Sequence, residues 1–272
     1  MKTIDRQRVR ASFHKGASDY DQHTPVQKKV IEHLLHKLEN SGIESGATVL
    51  DIGCGTGLML EQLSQSFPDL YLTGLDLAPN MIRHANERLG EKAELIQGDA
   101  ERLPFEDDKF SIALSSSTFQ WLGSLNPCFD EVIRILKPDG RFLFSLFGEG
   151  TLKELRESWQ EAWLSFGQNK KAEHDGTHHF HNIAQVESAL ELSGFSNIKV
   201  YSANETAWYP DVPHLLHAIK RIGAGTSHPP SGGGLGWRRI LHKTAEIYSK
   251  RYCRSDGAVK TTYNVIYGEG IA

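Results

Sequence analysis

Residues 49–57 read Val49-Leu50-Asp51-Ile52-Gly53-Cys54-Gly55-Thr56-Gly57, an apolar strand-like run that breaks into three glycines at alternate positions. Glycines at a junction between a strand and a helix let the backbone take unusual dihedrals and approach a ligand closely. A dinucleotide fingerprint would place glycine at 53, 55 and 58. Position 58 is Leu58, whose side chain would crowd a pyrophosphate, so the loop reads against NAD and FAD.

Outward from this loop, short β-type runs alternate with helical patterns: TVLDIG, YLTGLD, ELIQGD, FSIALSSS and RFLFSLF. Such alternation predicts a parallel, doubly wound α/β sheet. TVLDI and FSIAL lack strict polar alternation, as expected of central strands covered on both faces. Upstream, Thr24-Pro25-Val26-Gln27 has the form of a helix start, and Val26, Val30, Leu34 and Leu38 repeat every four residues to give a stripe that packs on the core. Downstream, Thr151-Leu152-Lys153-Glu154 matches a capping box, and a further helix is expected from Ile183 to Leu192, closed by Gly194. IKVYSANETAWY and KTTYNVIYGEG read as two late antiparallel strands separated by the helical HLLHAIKRIG and by a loop, GAGTSHPPSGGGLG.

Composition sets the outer limits. The chain has 272 residues, 39% hydrophobic and 24% charged, with a net charge of −4. It contains no apolar run of bilayer length and no secretory leader pattern, from which a cytoplasmic protein without membrane contact is expected. Cys54, Cys128 and Cys253 are isolated from one another, so neither a disulfide framework nor a thiolate zinc site is expected.

Acidic residues then mark the ligand. Asp76 ends the second strand, placed to accept hydrogen bonds from both ribose hydroxyls, which alone fits NAD equally well; Asp99-Ala100 follows the third, suited to an adenine amino group, and separates the two. Asp51, in the first strand, faces an ammonium directly or through water. A loop with several carboxylates and no nearby Lys or Arg suits a cation rather than a phosphate.

VLDIGCGTG, GLDLAPNMI, QGDAERLPF and LKPDGRFLF, in this order, resemble the motifs of the class I, Rossmann-like S-adenosylmethionine methyltransferases across residues 49–144. The resemblance implies a mostly parallel seven-stranded sheet with an antiparallel C-terminal strand and a helical cap. It also implies S-adenosylmethionine as cofactor, held by Asp51, Gly53, Cys54, Gly55, Gly57, Asp76, Leu77, Met81, Asp99, Ala100, Ser115 and Gln120. Outside the motifs, FHKGASDYDQHTPVQKK, SSSTFQWLGSL, LFGEGTLKELRESW, HAIKRIGA and TTYNVIYG are similar to the malonyl-acyl-carrier-protein O-methyltransferases of biotin synthesis. That similarity implies one methyltransferase domain over 1–272: a lid at 1–45, a cofactor core at 46–148, and substrate-side insertions at 149–182 and 210–256. It further implies methylation of a malonyl carboxylate, which needs no catalytic base because it is ionised at neutral pH.

Tyr20, Gln27, Trp121, His179 and Lys220 are the candidate substrate residues. His179 stands where the resemblance leads one to expect arginine. Eight cations lie between His214 and Arg254 (Lys220, Arg221, Arg238, Arg239, Lys243, Lys250, Arg251 and Arg254) against the single acid Glu246. Such a patch on an acidic chain suits an acidic partner; Arg221, Arg238, Arg239 and Lys243 form the candidate carrier-protein surface. Malonyl-CoA remains an alternative acceptor, and nucleic acid is disfavoured by the lack of interleaved aromatics. His174, His178, His179 and His181 have no Cys or paired carboxylate with them and are not read as a metal site. Two other functions stay open: methylation of another small molecule, and a non-catalytic regulator that binds the cofactor.

Overall fold

A computed structural model describes residues 6–167, 180–221 and 235–272. Two helices lead in, α1 (Arg6–Gly16) and α2 (Pro25–Asn40), joined by a 3-10 turn at Ala17–Gln22. The core follows as β1 (Thr48–Ile52), α3 (Leu58–Ser66), β2 (Tyr71–Asp76), α4 (Pro79–Leu89), β3 (Glu94–Gln97), β4 (Phe110–Ser116), α5 (Asn126–Ile135) and β5 (Leu136–Phe147). Then come α6 (Lys153–Ser165), α7 (Ile183–Leu192), β6 (Ser196–Tyr209), α8 (Val212–Arg221), α9 (Leu235–Tyr252) and β7 (Val259–Ile271). The strands form one sheet in the order β3-β2-β1-β4-β5-β7-β6. All pairings among β1 to β5 are parallel, while β7 runs antiparallel to both β5 and β6. This is the Rossmann-like seven-stranded sheet expected from the sequence.

Alternation along β1 decides which face each residue serves. Leu50 and Ile52 join the apolar layer formed with α5 and α7. Val49 joins the layer formed with α2 and α3, and Asp51, of the same parity, therefore points toward α2. Val26, Val30, Leu34 and Leu38 are all buried, and burial of each contributes about 1.5–3 kcal/mol. Strand order reverses between β1 and β4, each of which pairs with strands on both sides. A crevice opens at such a switch point, beyond the carboxyl ends of the strands.

One expected local motif is absent and another has taken its place. Leu152, not Thr151, occupies the N-cap of α6, with φ of +58° and no side-chain capping bond. Thr151 Oγ1 instead donates to the Asn264 carbonyl (3.0 Å) and accepts from the Asn264 N–H (3.1 Å). Glu154 accepts from the Thr262 N–H (3.0 Å) and hydroxyl (2.5 Å). Both side chains are buried, and a buried polar group bonds to whatever donor or acceptor faces it; here that is β7. The reciprocal capping box occurs at Asn182 and Gln185 of α7, with Gly194 beyond the helix at φ +92°. The Thr24 side chain likewise makes no cap bond to α2. Among the described residues, no helix is long and apolar enough to cross a membrane. Most of the expected glycine-rich loop near residue 230 falls outside the described residues.

Candidate cofactor and acceptor site

The glycine loop folds because its alternate residues have no side chains. Gly53 sits at φ +75°, and a Cβ there would collide with the Thr118 side chain. Gly57, at φ +82°, lies so close to α4 that a Cβ would come within 2.9 Å of Leu89 and 3.2 Å of Ala85. The Gly53 and Cys54 N–H groups both bond to the Leu75 carbonyl (2.7 and 3.0 Å), which fixes the loop to the end of β2. Asp76 completes the link: its carboxylate accepts from the Gly55 N–H (3.0 Å) and the Ala78 N–H (2.8 Å).

Two connected spaces adjoin this loop. The larger, about 770 Å³ including its open mouth, is lined by Gly53, Gly55, Asp76, Leu77, Ala78, Met81, Asp99, Ala100, Ser116, Ser117, Thr118, Tyr20 and Trp121, among others. The second reaches inward past Tyr20 and Gly53 to Asp51, Cys54, Thr56, Gln27 and Leu58. Asp51 is only 1% exposed and its Oδ1 has no hydrogen-bond partner, as is also true of the Ser116 and Ser117 hydroxyls. Buried polar atoms without partners are uncommon and call for a reason. All three border this groove, which implies a ligand that supplies the missing partners.

Electrostatics narrow the ligand further. Burial, then the charge of Asp76, holds the Asp51 carboxyl well above the usual carboxylate range. Burial likewise pushes Asp76 up to about 6, against the pull of its two backbone N–H bonds. Two acids pressed toward neutrality are relieved by a cation and by hydroxyl donors. Burial raises the Cys54 thiol well above its ordinary value, so it serves as a small wall residue. Arg10 and Lys28 also line these spaces; both are exposed and stand at the rim, so the groove is less free of cations than the sequence suggested.

The N-terminal segment is fastened over the loop. Asp21 accepts from the Thr56 hydroxyl (2.7 Å) and from Arg88 (2.5 Å), and Arg88 also donates to the Thr56 carbonyl (2.8 Å). Neighbouring Tyr20 thereby closes the groove, packing edge-on against Phe13, which in turn meets Trp121. Burial and the nearby carboxylates of Asp76 and Asp21 raise the Tyr20 hydroxyl above its ordinary range, so it stays neutral.

A third space, about 400 Å³, lies behind this wall. Tyr20, Gln27, Gln120 and Trp121 line it, joined by Phe147, Thr151, Leu152, Phe180, Ile219 and Tyr263. Gln120, expected among the cofactor residues, lines this space and neither of the two beside the loop; it is clamped in place, donating to the Ser117 carbonyl (2.5 Å) and accepting from the Phe147 N–H (3.3 Å).

Several expected residues sit elsewhere. The Ser115 hydroxyl donates to the Ile52 carbonyl at 2.7 Å and is fully buried, tying β4 to β1; the next residues, Ser116, Ser117 and Thr118, reach the groove instead. Lys220 is exposed: Val212, Leu215, Ala218 and Ile219 form the buried stripe of α8, and one residue further along turns about 100° away. Lys243 bonds to both oxygens of Glu246 (3.0 Å each). Arg251 pairs with Glu161 (2.6 Å) and Arg254 with Asp256 (2.5 Å), so acids from α6 and from beyond α9 neutralise part of the basic patch. Arg238 and Arg239 stay exposed, with the Arg239 guanidinium over the Phe166 ring. His181 bonds to the Leu122 carbonyl (3.0 Å). His174, His178, His179 and the Arg221 side chain lie outside the described residues. Sequence reasoning missed Val9, Arg10 and Phe13 of α1, which line the groove. The i, i+4 pair Val9 and Phe13 was their only signal.

Comparison with known proteins agrees with this geometry. A family described as a methyltransferase domain matches residues 50–144. A malonyl-[acyl-carrier protein] O-methyltransferase of Geobacter sulfurreducens is 42% identical over 98% of this chain and 99% of its own. A protein of the same name from Brevibacillus brevis is 30% identical over 99% and 97%. A biotin biosynthesis bifunctional protein of Teredinibacter turnerae is 33% identical over 96% of this chain but only 46% of its own. Among solved structures, a phosphoethanolamine N-methyltransferase of Haemonchus contortus in complex with S-adenosylmethionine shares the fold at a TM-score of 0.56, with 22% identity over 88% of this chain and 52% of its own. The YcgJ protein of Bacillus subtilis does so at 0.59, with 21% identity over 88% and 97%. The chain belongs to the malonyl-[acyl-carrier protein] O-methyltransferase family, within the class I S-adenosylmethionine-dependent methyltransferases.

Proposed function

We propose that the protein transfers a methyl group from S-adenosylmethionine to the free carboxylate of a malonyl thioester on an acyl-carrier protein, giving the methyl ester used as a primer in biotin synthesis. The residues of the groove fit the cofactor. Asp76, held by two backbone N–H groups, has lone pairs left for ribose hydroxyls, and Asp51 with its unpartnered oxygen suits the ammonium end. Leu77, Met81 and Ala100 suit the adenine, and Asp99 its amino group.

One observation carries the choice of acceptor. Among the described residues, the space behind Tyr20 and Trp121 is lined by apolar, hydroxyl and amide side chains and by no His, Asp, Glu or Lys. An amine or alcohol acceptor must lose a proton, whereas a carboxylate of pKa about 4 is already ionised. When bound, S-adenosylmethionine would supply an electrophilic methyl on a sulfonium, which an ionised carboxylate oxygen could take with the C–S electron pair left on sulfur and with no proton to move. The protein's part is to align the two reactants and keep water out, through the clamped Gln120 and the Tyr20–Asp21 closure.

The division into a lid at 1–45, a cofactor core at 46–148 and substrate-side insertions at 149–182 and 210–256 belongs to the same proposal, as does a cytoplasmic location. The exposed Arg238 and Arg239 on α9 are its surface for an acidic carrier. Incubation with methyl-labelled cofactor and malonyl-carrier protein is expected to label the carrier in base-labile form. Absence of label would overturn the reading, and faster labelling of malonyl-CoA would move the acceptor from carrier to coenzyme.

A further inference from the structure

The residue that grips the acceptor's carboxylate can be sought among the hydrogen-bonding groups of the third space, because several of them are engaged or unsuited. Thr151 is fully occupied by the Asn264 backbone. Gln120 is held at both ends of its amide. Tyr20 lies beside the Asp76 and Asp21 carboxylates, which repel a second anion, whereas the one carboxylate near Tyr263, Glu154, is turned to the Thr262 N–H and hydroxyl. Besides the Trp121 indole, whose ring is committed to the wall with Phe13, the groups left among the described residues are Ser117, Gln27 and Tyr263.

Each is prepared in a different way. Ser117 carries a left-handed backbone, φ +56°, a conformation unfavourable for a non-glycine residue that persists where surrounding structure enforces it; its buried hydroxyl has no partner. Gln27 is 8% exposed on the first turn of α2. Tyr263 is 3% exposed, packs against Phe147, and its hydroxyl lies 2.8 Å from that of Tyr209. Two hydroxyls hold two protons but need only one for their mutual bond. Either hydroxyl can donate in that bond, and a carboxylate beside Tyr263 selects the arrangement in which Tyr209 donates and the Tyr263 proton goes to the carboxylate.

We propose that neutral donors receive the acceptor carboxylate, with Tyr263 as the principal one, oriented by Tyr209, and with Ser117 and Gln27 beside it. The inference rests on reading this space as the acceptor site. Neutral donors fix the carboxylate without neutralising it, so its oxygen keeps the charge that attacks the methyl group. The methyl ester formed has lost that charge and binds the same donors less well, which favours release.

The test compares wild type with Tyr263→Phe, Tyr209→Phe and Ser117→Ala, measuring KM and kcat for malonyl-carrier protein, inhibition by the methyl-ester carrier product, and cofactor affinity by calorimetry. A hydrogen bond to a charged group corresponds to about tenfold or more in affinity. Tyr263→Phe is expected to raise KM by that factor while product inhibition and cofactor affinity change less than about twofold. Tyr209→Phe, a positioning change, is expected to raise KM about threefold with the same split. Equal losses for substrate and product would mean that Tyr263 only shapes the pocket, and an unchanged KM would exclude it as a donor; either overturns the proposal. If wild type turns over no malonyl thioester, the acceptor reading itself fails and this inference falls with it. Turnover in wild type with an unaltered Tyr263→Phe sinks this inference alone.

Discussion

The groove beyond β1 and the space behind Trp121 share Tyr20, Phe13, Ser117 and Trp121 as a common wall, yet they select ligands by opposite means. The groove presents carboxylates in a depressed dielectric, at strand ends that the sheet itself sets in register: Asp51 lies opposite Gly74 and Asp76 opposite Gln97. The acceptor space presents hydroxyls and amides from α2, β7 and the segments that follow α1, β4 and β5, set among apolar side chains of α1, β5 and α8. A sulfonium needs negative charge near it, whereas a carboxylate nucleophile is better held by neutral donors. A single wall between an acidic groove and an uncharged pocket thus lets two oppositely charged reactants meet without either compartment quenching the other.

The sharpest way to break this contrast is to remove the groove's anchor. Asp76→Ala deletes two backbone hydrogen bonds that hold the glycine loop together with the acceptor for ribose hydroxyls. At roughly 1.5 kcal/mol per charge-assisted bond, cofactor affinity is expected to fall by about a hundredfold or more, read by calorimetry. The KM for acceptor, measured at saturating cofactor, should move by less than threefold. A comparable loss on both sides would mean that the two compartments are not separable.

A smaller effect follows from the Asp76 carboxyl, which burial raises to about 6. The group is therefore protonated in the free protein below that pH, and a ligand that needs its lone pairs must first displace a proton. Cofactor affinity is expected to rise with pH up to about 6, by about tenfold per unit at the acid end, and to go on rising above it as Asp51, held higher still by burial and by the Asp76 charge, ionises opposite the ammonium. Calorimetric titrations from pH 4.5 to 8 would show this, and Asp76→Asn should remove the step near 6 and leave the later rise. A flat curve in the unaltered protein would place the controlling charge elsewhere.

The contrast also explains what the sequence could disclose. Groove residues lie within a few positions of strand ends, so glycine spacing, Asp76 and Asp99 could be found from local pattern. Ser115 was misplaced because three consecutive serines differ only in which way the strand end turns them: Ser115 faces the Ile52 carbonyl, Ser116 and Ser117 the groove. The acceptor space depends on contacts between segments far apart, and no local pattern marks Tyr263 or joins it to Tyr209. Thr151 and Glu154 show the same limit from the other side. Their spacing fits a capping box, but β7, more than 100 residues later, offers buried partners that win. The fold was legible because hydrophobic alternation is local, and the cofactor side for the same reason; the acceptor side is tertiary.

The smallest expected effect separates cations within the proposed carrier surface. Lys243 is paired with Glu246 on the same helix face, whereas no acid is paired with Arg238 or Arg239 among the described ion pairs. An exposed pair has little net field to offer a partner, and freeing Glu246 by Lys243→Ala removes one charge and uncovers its opposite. Charge reversal of Arg238 and Arg239 together is expected to raise the KM for malonyl-carrier protein by about five- to tenfold at low salt, with an effect that shrinks as ionic strength rises and the Debye length falls toward 8 Å or less. Lys243→Ala should change it by about twofold. Neither should alter cofactor affinity, because the groove's field arises from buried acids on the far side of the Tyr20 wall. Steady-state kinetics at two salt concentrations decide the point: equal effects of paired and unpaired cations would show that the helix acts through its net charge and not through the particular arginines it leaves free.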